Sequence, residues 1–94
     1  MCKGYAVIAH RYKTKYGETD LIVKKKDVLV FVEVKYAQHT KYLYKSIYSS
    51  DFRRLVSNAK FYKNKYYKNN IRIRFDIIFV YDKMKIRHLQ NVYF

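Results

Sequence analysis

Three acidic residues and one lysine lie at the ends of two predicted strands, where they could hold a metal ion and act on a phosphodiester. Glu18 and Asp20 come just before the apolar stretch "LIV", and Glu33 and Lys35 follow the apolar stretch "VLVFV". Side chains alternate along a strand, so the members of each pair share a face of the predicted sheet. Hard cations such as Mg²⁺ or Mn²⁺ prefer carboxylate oxygens. A neighbouring lysine can orient a water molecule for attack on a metal-bound phosphate.

The pairing between the two strands decides whether these side chains meet. If "KKKD" (24–27) forms the turn of a hairpin, Val23 lies opposite Val28. Asp20 and Glu33 then become diagonal neighbours on one face, about 7 Å apart at Cβ, and one ion can reach both. A slip of one residue would turn Asp20 to the opposite face, because the side-chain period is two.

A satisfied cluster of ion pairs is the alternative to a metal site. A carboxylate at the end of a buried strand is costly unless it is paired with a cation or bound to metal. Lys35 lies two residues after Glu33 and can serve as that partner. Alternating strings such as "VEVK" are also common in strands, so this pattern leaves both interpretations open.

The charge of the chain favours a polyanionic partner, nucleic acid above all, over a codon bias towards Lys, Tyr, Asn and Ile that carries no function. Twenty-one Lys and Arg against seven Asp and Glu give a formal net charge of +14. Such a field attracts nucleic acid through counterion release, and the 12 Tyr and six Phe offer ring faces on which unpaired bases can stack. Phe61 lies opposite the apolar stripe of the predicted helix; it is a candidate for stacking on a base or contacting a partner chain, and an ordinary exposed ring is the alternative. The residues predicted to contact nucleic acid are Lys13, Lys15, Lys24, Lys25, Arg53 and Arg54. For the four lysines, solvated turn charges are the alternative.

Hydrophobic periodicity predicts one α/β domain over 1–94, with three strands, one main helix and two further strands. Two of the strands are apolar on both faces, which is typical of a sheet that is covered on both sides. Ser49 or Ser50 is expected to cap the helix. The helix presents one apolar stripe, formed by Phe52, Leu55, Val56, Ala59, Tyr62 and Tyr66. The predicted ranges are 4–12, 19–23, 28–35, 71–81 and 84–89 for the strands, and about 50–68 for the helix.

Several other classes of protein are disfavoured. The single Cys2 cannot form an internal disulfide, which suggests a reducing, cytoplasmic setting, and the three histidines lack the spacing of zinc ligands. The longest apolar runs have five residues, far fewer than the roughly 20 that span a bilayer, so no membrane partner is expected. Asp76 shares a strand face with Arg72 and Arg74, and a structural ion pair is the favoured interpretation there.

Four segments in the same order resemble those of the YraN-like family, which is placed in the restriction-endonuclease-like, PD-(D/E)xK superfamily. The similarity covers almost the whole chain, from about Gly4 to Phe94. The segments that carry it are "YGETDLI" (16–22), "VFVEVK" (30–35), "RFDIIFV" (74–80) and "HLQNVYF" (88–94).

The resemblance implies a metal-dependent endonuclease that hydrolyses DNA, including branched DNA, since similar proteins include archaeal Holliday-junction resolvases. It implies Asp20 and Glu33 as ligands of Mg²⁺ or Mn²⁺, with the Val34 carbonyl as a third ligand. It implies Lys35 as the catalytic lysine and Glu18 as an outer ligand. It also implies a restriction-endonuclease-like fold, a mixed sheet of about five strands with one main helix between strands 3 and 4.

The chain departs from the family pattern in ways that define the alternative function. Members usually begin with a helix of 15 to 20 residues that this sequence does not show, so one sheet face is expected to be bare unless a second protomer covers it as a homodimer. Arg11 stands where the family usually has Asn, and Ala37 replaces an Arg. The alternative is therefore a nucleic-acid-binding or assembly module that kept the fold and lost turnover.

Overall fold

Five strands and one helix make up the structure, a computed structural model that describes residues 4–37, 51–67, 71–83 and 85–91. The order of three strands, a helix and two strands confirms the prediction, with boundaries that differ by a few residues. The predicted caps Ser49 and Ser50 lie outside the described residues. The elements are β1 (Ala6–Thr14), β2 (Gly17–Lys25), β3 (Val28–Ala37), α1 (Asp51–Tyr66), β4 (Arg72–Tyr81) and β5 (Lys85–Leu89).

The strands form one mixed sheet in the order β1-β2-β3-β4-β5. β3 and β4 are parallel, and the other three neighbouring pairs are antiparallel. Parallel neighbours need a crossover connection, and here that connection contains α1. The observed architecture confirms the predicted fold class, an α/β mixed sheet with its main helix between strands 3 and 4.

The register of the β2–β3 hairpin differs from the predicted one by two residues. Val28 pairs with Lys25 rather than with Val23, and Val23 pairs with Val30. The predicted four-residue turn was wrong because Lys26 adopts a left-handed φ of 55°, which closes the hairpin over two residues and extends the ladder. A shift of two residues keeps every side chain on its predicted face.

The main core lies between α1 and one face of the sheet. Leu55, Ala59 and Tyr62 of the predicted helical stripe are buried against Ile22 and Phe31 of the central strands. The period of 3.6 therefore identified the packed face of α1, although Tyr66 at the end of the predicted stripe is 53% exposed. Within the described parts of the chain, no helix is long and apolar enough to cross a membrane.

The opposite face of the sheet is also covered at its centre. Val23, Val30 and Val32 form a second buried cluster and are at most 1% exposed. The expectation of a bare face is therefore wrong for these three residues, because Tyr5 and Ile78 pack against them within a single chain. The homodimer stays a prediction.

Candidate active site

Five charged side chains line one small cavity at the end of the sheet. The cavity has a volume of about 200 Å³ and is called the acid pocket below. β2, β3 and the first turn of α1 each contribute side chains. The lining residues are Glu18, Asp20, Glu33, Lys35 and Arg54.

The acid pocket opens where β2 and β3 stop pairing. Their last paired residues are Leu21 and Val32. Beyond this pair, the backbone N–H of Val34 donates to Oδ2 of Asp20 at 2.9 Å. A backbone N–H in a part-buried position needs an acceptor, so the carboxylate replaces the missing strand partner. This hydrogen bond fixes Asp20 beside the segment that carries the other two predicted site residues.

β3 places Glu33 and Lys35 next to the core. In the parallel ladder with β4, Glu33 pairs with Ile77 and Lys35 pairs with Phe79. Ile77 and Phe79 are fully buried, whereas Glu33 and Lys35 are half-buried. Both charged side chains follow Phe31 at alternate positions, so they lie on the face that α1 covers. Glu33 and Lys35 therefore lie at the edge of the buried core, at the end of the apolar part of β3.

Arg54 reaches the acid pocket because α1 packs very closely against the start of β2. A Cβ atom built on Gly17 would lie 2.9 Å from Cβ of Arg54 and 3.0 Å from its backbone oxygen. Any larger residue at position 17 would push the helix away. The sequence predicted Arg54 as a DNA contact, whereas the structure places it among the carboxylates. Three carboxylates and two cations give the pocket a formal charge of −1 in a chain of +14.

The donor set fits a hard divalent cation that has few protein ligands. In residues 4–37, 51–67, 71–83 and 85–91, no three Asp, Glu, His or Cys side chains converge closely enough to hold a metal ion together. Mg²⁺ is commonly held by one or two carboxylates, with waters and phosphate oxygens completing its shell. Asp20 and Glu33 can supply those two carboxylates. Glu18 lines the pocket from an exposed position, which suits contact through water.

Three of the six residues predicted to contact nucleic acid lie beside the acid pocket. A second cavity of about 440 Å³, called the basic turn pocket below, adjoins it through Glu18 and Arg54. Its other lining residues are Lys13, Thr14, Lys15, Tyr16 and Gly17. A cationic surface therefore leads to the carboxylates.

The other three predicted contacts are not brought to this surface. Lys24 and Lys25 lie at the far end of β2, roughly 13 to 17 Å from Asp20 at about 3.3 Å per strand residue. The ammonium group of Lys25 lies 5.1 Å from the ring centre of Tyr5 instead. Arg53 is exposed in the first turn of α1.

A buried asparagine next to the two pockets was not predicted from the sequence. Asn58 of α1 is fully buried; it donates from Nδ2 to the Tyr12 carbonyl and to Oγ1 of Thr19, and it accepts from Oγ1 of Thr14. These bonds tie the helix to β1 and β2 next to the pockets. The available signal was its position within the apolar stripe, between Leu55 and Ala59, where a polar residue must find partners.

Asp76 forms an ion cluster on the face of the sheet opposite the acid pocket, where it pairs with Val32 of β3. It is 1% exposed and accepts two hydrogen bonds from Arg74 at 2.9 Å, one from the backbone of Asn91, and lies 2.8 Å from Nε2 of His88. Burial by itself lowers the pKa of Arg74, but the hydrogen bonds to Asp76 and Tyr5 outweigh it and raise that pKa. The favoured structural ion pair is therefore observed with Arg74, whereas Arg72 lies 3.8 Å from Asp27.

Two tyrosines of the main core also have shifted pKa values. Burial is the main cause that raises the pKa of Tyr62, and the neighbouring Tyr67, Tyr66 and Tyr12 add to it. Burial likewise raises the pKa of Tyr12, whose ring packs edge-on against Tyr62 at 5.1 Å. Both phenols belong to the packing behind the site, so they stabilise the core rather than supply chemistry.

A family model described as "Uncharacterised protein family UPF0102" matches residues 1–80, a range that contains the acid pocket, the basic turn pocket and α1. The chain belongs to this family. The membership confirms the YraN-like resemblance at the level of the family, over nearly the whole chain.

UPF0102 relatives from distant bacteria align along almost the full chain. A UPF0102 protein of Clostridioides difficile is 34% identical over 96 residues, covering 99% of this chain and 84% of the relative. One from Fervidobacterium nodosum is 36% identical, covering 96% of this chain and 69% of the relative. One from Mesorhizobium japonicum is 30% identical, covering 100% of this chain and 76% of the relative.

Proposed function

We propose that this UPF0102 protein is a metal-dependent endonuclease of the PD-(D/E)xK type that hydrolyses phosphodiester bonds of DNA. The observation that supports the proposal most is the shared position of Asp20, Glu33 and Lys35 in one cavity where β2 and β3 separate. The basic surface beside the cavity suits a phosphate backbone.

Each of the five side chains of the acid pocket has a role in this proposal, and Glu18 would contact the metal ion through water. Asp20 and Glu33 would hold Mg²⁺ or Mn²⁺, and the backbone carbonyl of Val34 in β3 would add a third ligand. Such an ion supplies polarisation of the phosphate and stabilises the charge that develops on it. Lys35 donates a hydrogen bond to the attacking water and orients it towards phosphorus. Arg54 pairs with the negative charge on a non-bridging oxygen of the same phosphate.

A cleavage assay tests the proposal directly. We expect the protein to cut duplex, single-stranded or branched DNA in the presence of Mg²⁺ or Mn²⁺ and to be inactive in EDTA. Asp20→Ala, Glu33→Ala and Lys35→Ala should each lower the cleavage rate by at least about 100-fold, because each removes a group needed in the transition state. Asp27→Ala and Lys85→Ala remove exposed charges elsewhere and should leave the rate unchanged. Cleavage that survives the three pocket variants would come from a contaminant and defeat the assignment.

One observation favours the second candidate, a nucleic-acid-binding module without turnover. Arg54 shares the acid pocket with the carboxylates, and a guanidinium there can neutralise them in place of a metal ion. In that case the protein binds DNA with a steep salt dependence and cuts none. Arg54→Ala distinguishes the two functions. It lowers the cleavage rate of a nuclease, whereas in the module it allows Mn²⁺ to bind where the wild-type protein binds none.

A further inference from the structure

A third cavity continues the surface that begins at the acid pocket. It has a volume of about 500 Å³ and is called the aromatic groove below. Tyr16 belongs both to this groove and to the basic turn pocket, which in turn shares Arg54 with the acid pocket. The other lining residues of the aromatic groove are Ser57, Lys60, Phe61, Asn64 and Lys65.

Two aromatic rings line the groove, and an ammonium group lies near each of them: Lys65 belongs to the groove and Lys15 to the adjoining basic turn pocket. The ring centres of Tyr16 and Phe61 are 5.4 Å apart, and the ring planes are tilted by 44°. The ammonium group of Lys15 lies 5.2 Å from the ring centre of Tyr16, and that of Lys65 lies 5.8 Å from the ring centre of Phe61. Neither ring belongs to the two buried clusters of the sheet, and Tyr16 is 43% exposed. Aromatic ring surface and positive charge therefore lie side by side at this groove.

This combination suits an unpaired nucleobase and its phosphate. Any base can stack on an aromatic face, and lysines beside the ring can pair with the phosphates on either side. The bases of a duplex are already stacked on one another, so their faces are closed to such rings. The groove volume also falls within the range of about 300 to 1,000 Å³ that small-ligand sites occupy.

We infer that the aromatic groove binds an unpaired base of a DNA strand whose backbone continues over the basic turn pocket to the acid pocket. The inference rests on the proposed function and specifies its substrate, DNA with a single-stranded segment next to the bond that is cut. The charge of +14 and the continuity of the three cavities support this occupant over an apolar one. A purely structural role would have the two rings hold the β1–β2 turn against α1.

Binding in EDTA tests the groove without any cleavage. The probe is a fluorescein-labelled single strand of about 12 nucleotides, compared with an abasic strand of equal length and charge. We expect the wild-type protein to bind the strand with bases at least about 5-fold more tightly, since stacking contributes for each base. Tyr16→Ala, Phe61→Ala and Phe61→Leu should abolish this preference. Tyr16→Phe and Phe61→Tyr keep the ring faces and should retain it.

Two controls separate stacking from folding. Phe61→Leu keeps an apolar contact with Tyr16 and should show an unchanged circular dichroism spectrum, although it loses the ring face. Tyr36→Ala removes an aromatic side chain that is 80% exposed and follows Lys35, so it lies on the opposite face of the sheet; it should bind as the wild type does. The inference is overturned if the wild type binds the abasic strand equally well, or if Phe61→Leu and Phe61→Ala keep the preference for bases.

The inference and the proposed function can fail independently. If the ring variants lose the preference for bases and no DNA is cut under any condition, the nuclease proposal fails and the aromatic groove stands as a binding site for single strands. If the protein cuts duplex and single-stranded DNA equally, and the ring variants keep both activities and the wild-type binding, the inference fails and the nuclease proposal stands.

Discussion

The carboxylate of Asp20 accepts a hydrogen bond from the backbone N–H of Val34 at 2.9 Å, across the point where β2 and β3 separate. One side chain thus satisfies the backbone of β3 and also lines the acid pocket. Asp20 therefore combines a structural role with its proposed role at the metal ion, and substitutions can separate the two.

Asparagine at position 20 should keep the structural role and lose the chemical one. Its amide oxygen can accept from Val34, but it carries no charge for a metal ion. We expect Asp20→Ala to lower the free energy of unfolding by about 1.5 to 3 kcal/mol, as for the loss of a hydrogen bond to a charged group. Asp20→Asn should cost clearly less, while both variants lose metal-dependent cleavage. Urea denaturation measures the first difference, and equal losses for Asn and Ala would show that the Val34 bond contributes little.

A methyl group at position 17 should disrupt the close packing of Gly17 against Arg54. Gly17 has a φ of +152°, and an added Cβ would meet the helix at 2.9 Å. We expect Gly17→Ala to destabilise the fold by about 1 to 3 kcal/mol and to weaken DNA binding, because α1 and its arginine must move. Gly4→Ala is the matched control: it also has a positive φ, but its Cβ meets only the flexible end of Lys25 at 3.0 Å. Equal losses of DNA binding in the two variants would contradict this explanation.

The buried Asn58 should matter far more than an exposed asparagine of the same helix. Asn58→Ala removes the amide that bonds the Tyr12 carbonyl and the hydroxyls of Thr14 and Thr19. We expect a loss of about 1 to 3 kcal/mol in the free energy of unfolding. Asn64→Ala makes the same chemical change at an exposed position and should stay within about 0.5 kcal/mol. Chemical denaturation of both variants checks the prediction, which fails if the two values coincide.

The ion cluster around Asp76 should contribute to stability and not to catalysis. Removing a buried charge partner leaves Arg74 uncompensated at 23% exposure, so we expect Asp76→Ala to cost about 3 to 5 kcal/mol. Asp27→Ala breaks only the exposed pair with Arg72 and should cost less than about 1 kcal/mol. Cleavage by the folded fraction of Asp76→Ala should match the wild type. A specific loss of cleavage in that fraction would instead assign Asp76 to the site.

The raised pKa of Tyr62 predicts a loss of stability in alkaline solution. Burial raises the pKa of Tyr62, so its phenol stays protonated to a higher pH in the folded state than in the unfolded chain, where it ionises near the ordinary value of about 10. The unfolded state therefore binds fewer protons above this pH, and the free energy of unfolding falls as the pH rises further. Tyr62→Phe removes this titration and should flatten the decline, measured by urea denaturation between about pH 9 and 11. If the free energy of unfolding of Tyr62→Phe falls with pH as steeply as that of the wild type, other titrating groups cause the decline.

Pattern alone predicted the element order and the packed face of α1, because period-two and period-3.6 signals depend only on neighbouring residues. The hairpin register was missed, since the tight turn depends on the left-handed backbone of Lys26, a residue type that gives no signal for it. Because the register differs from the predicted one by two residues, each side chain keeps its predicted face, and Asp20 and Glu33 still line one cavity.

The sequence by itself determined an α/β chain of high positive charge, with three of its seven acidic residues at the ends of two adjacent strands. Only the tertiary structure decided that Arg54 enters the acid pocket, that Asn58 joins α1 to β1 and β2, and that Tyr16 lies against Phe61. The hydrogen bonds of Asn58, for example, join it to Tyr12 and Thr19, which lie 46 and 39 positions earlier in the chain. Such contacts depend on how closely the helix approaches the sheet, which local patterns do not encode.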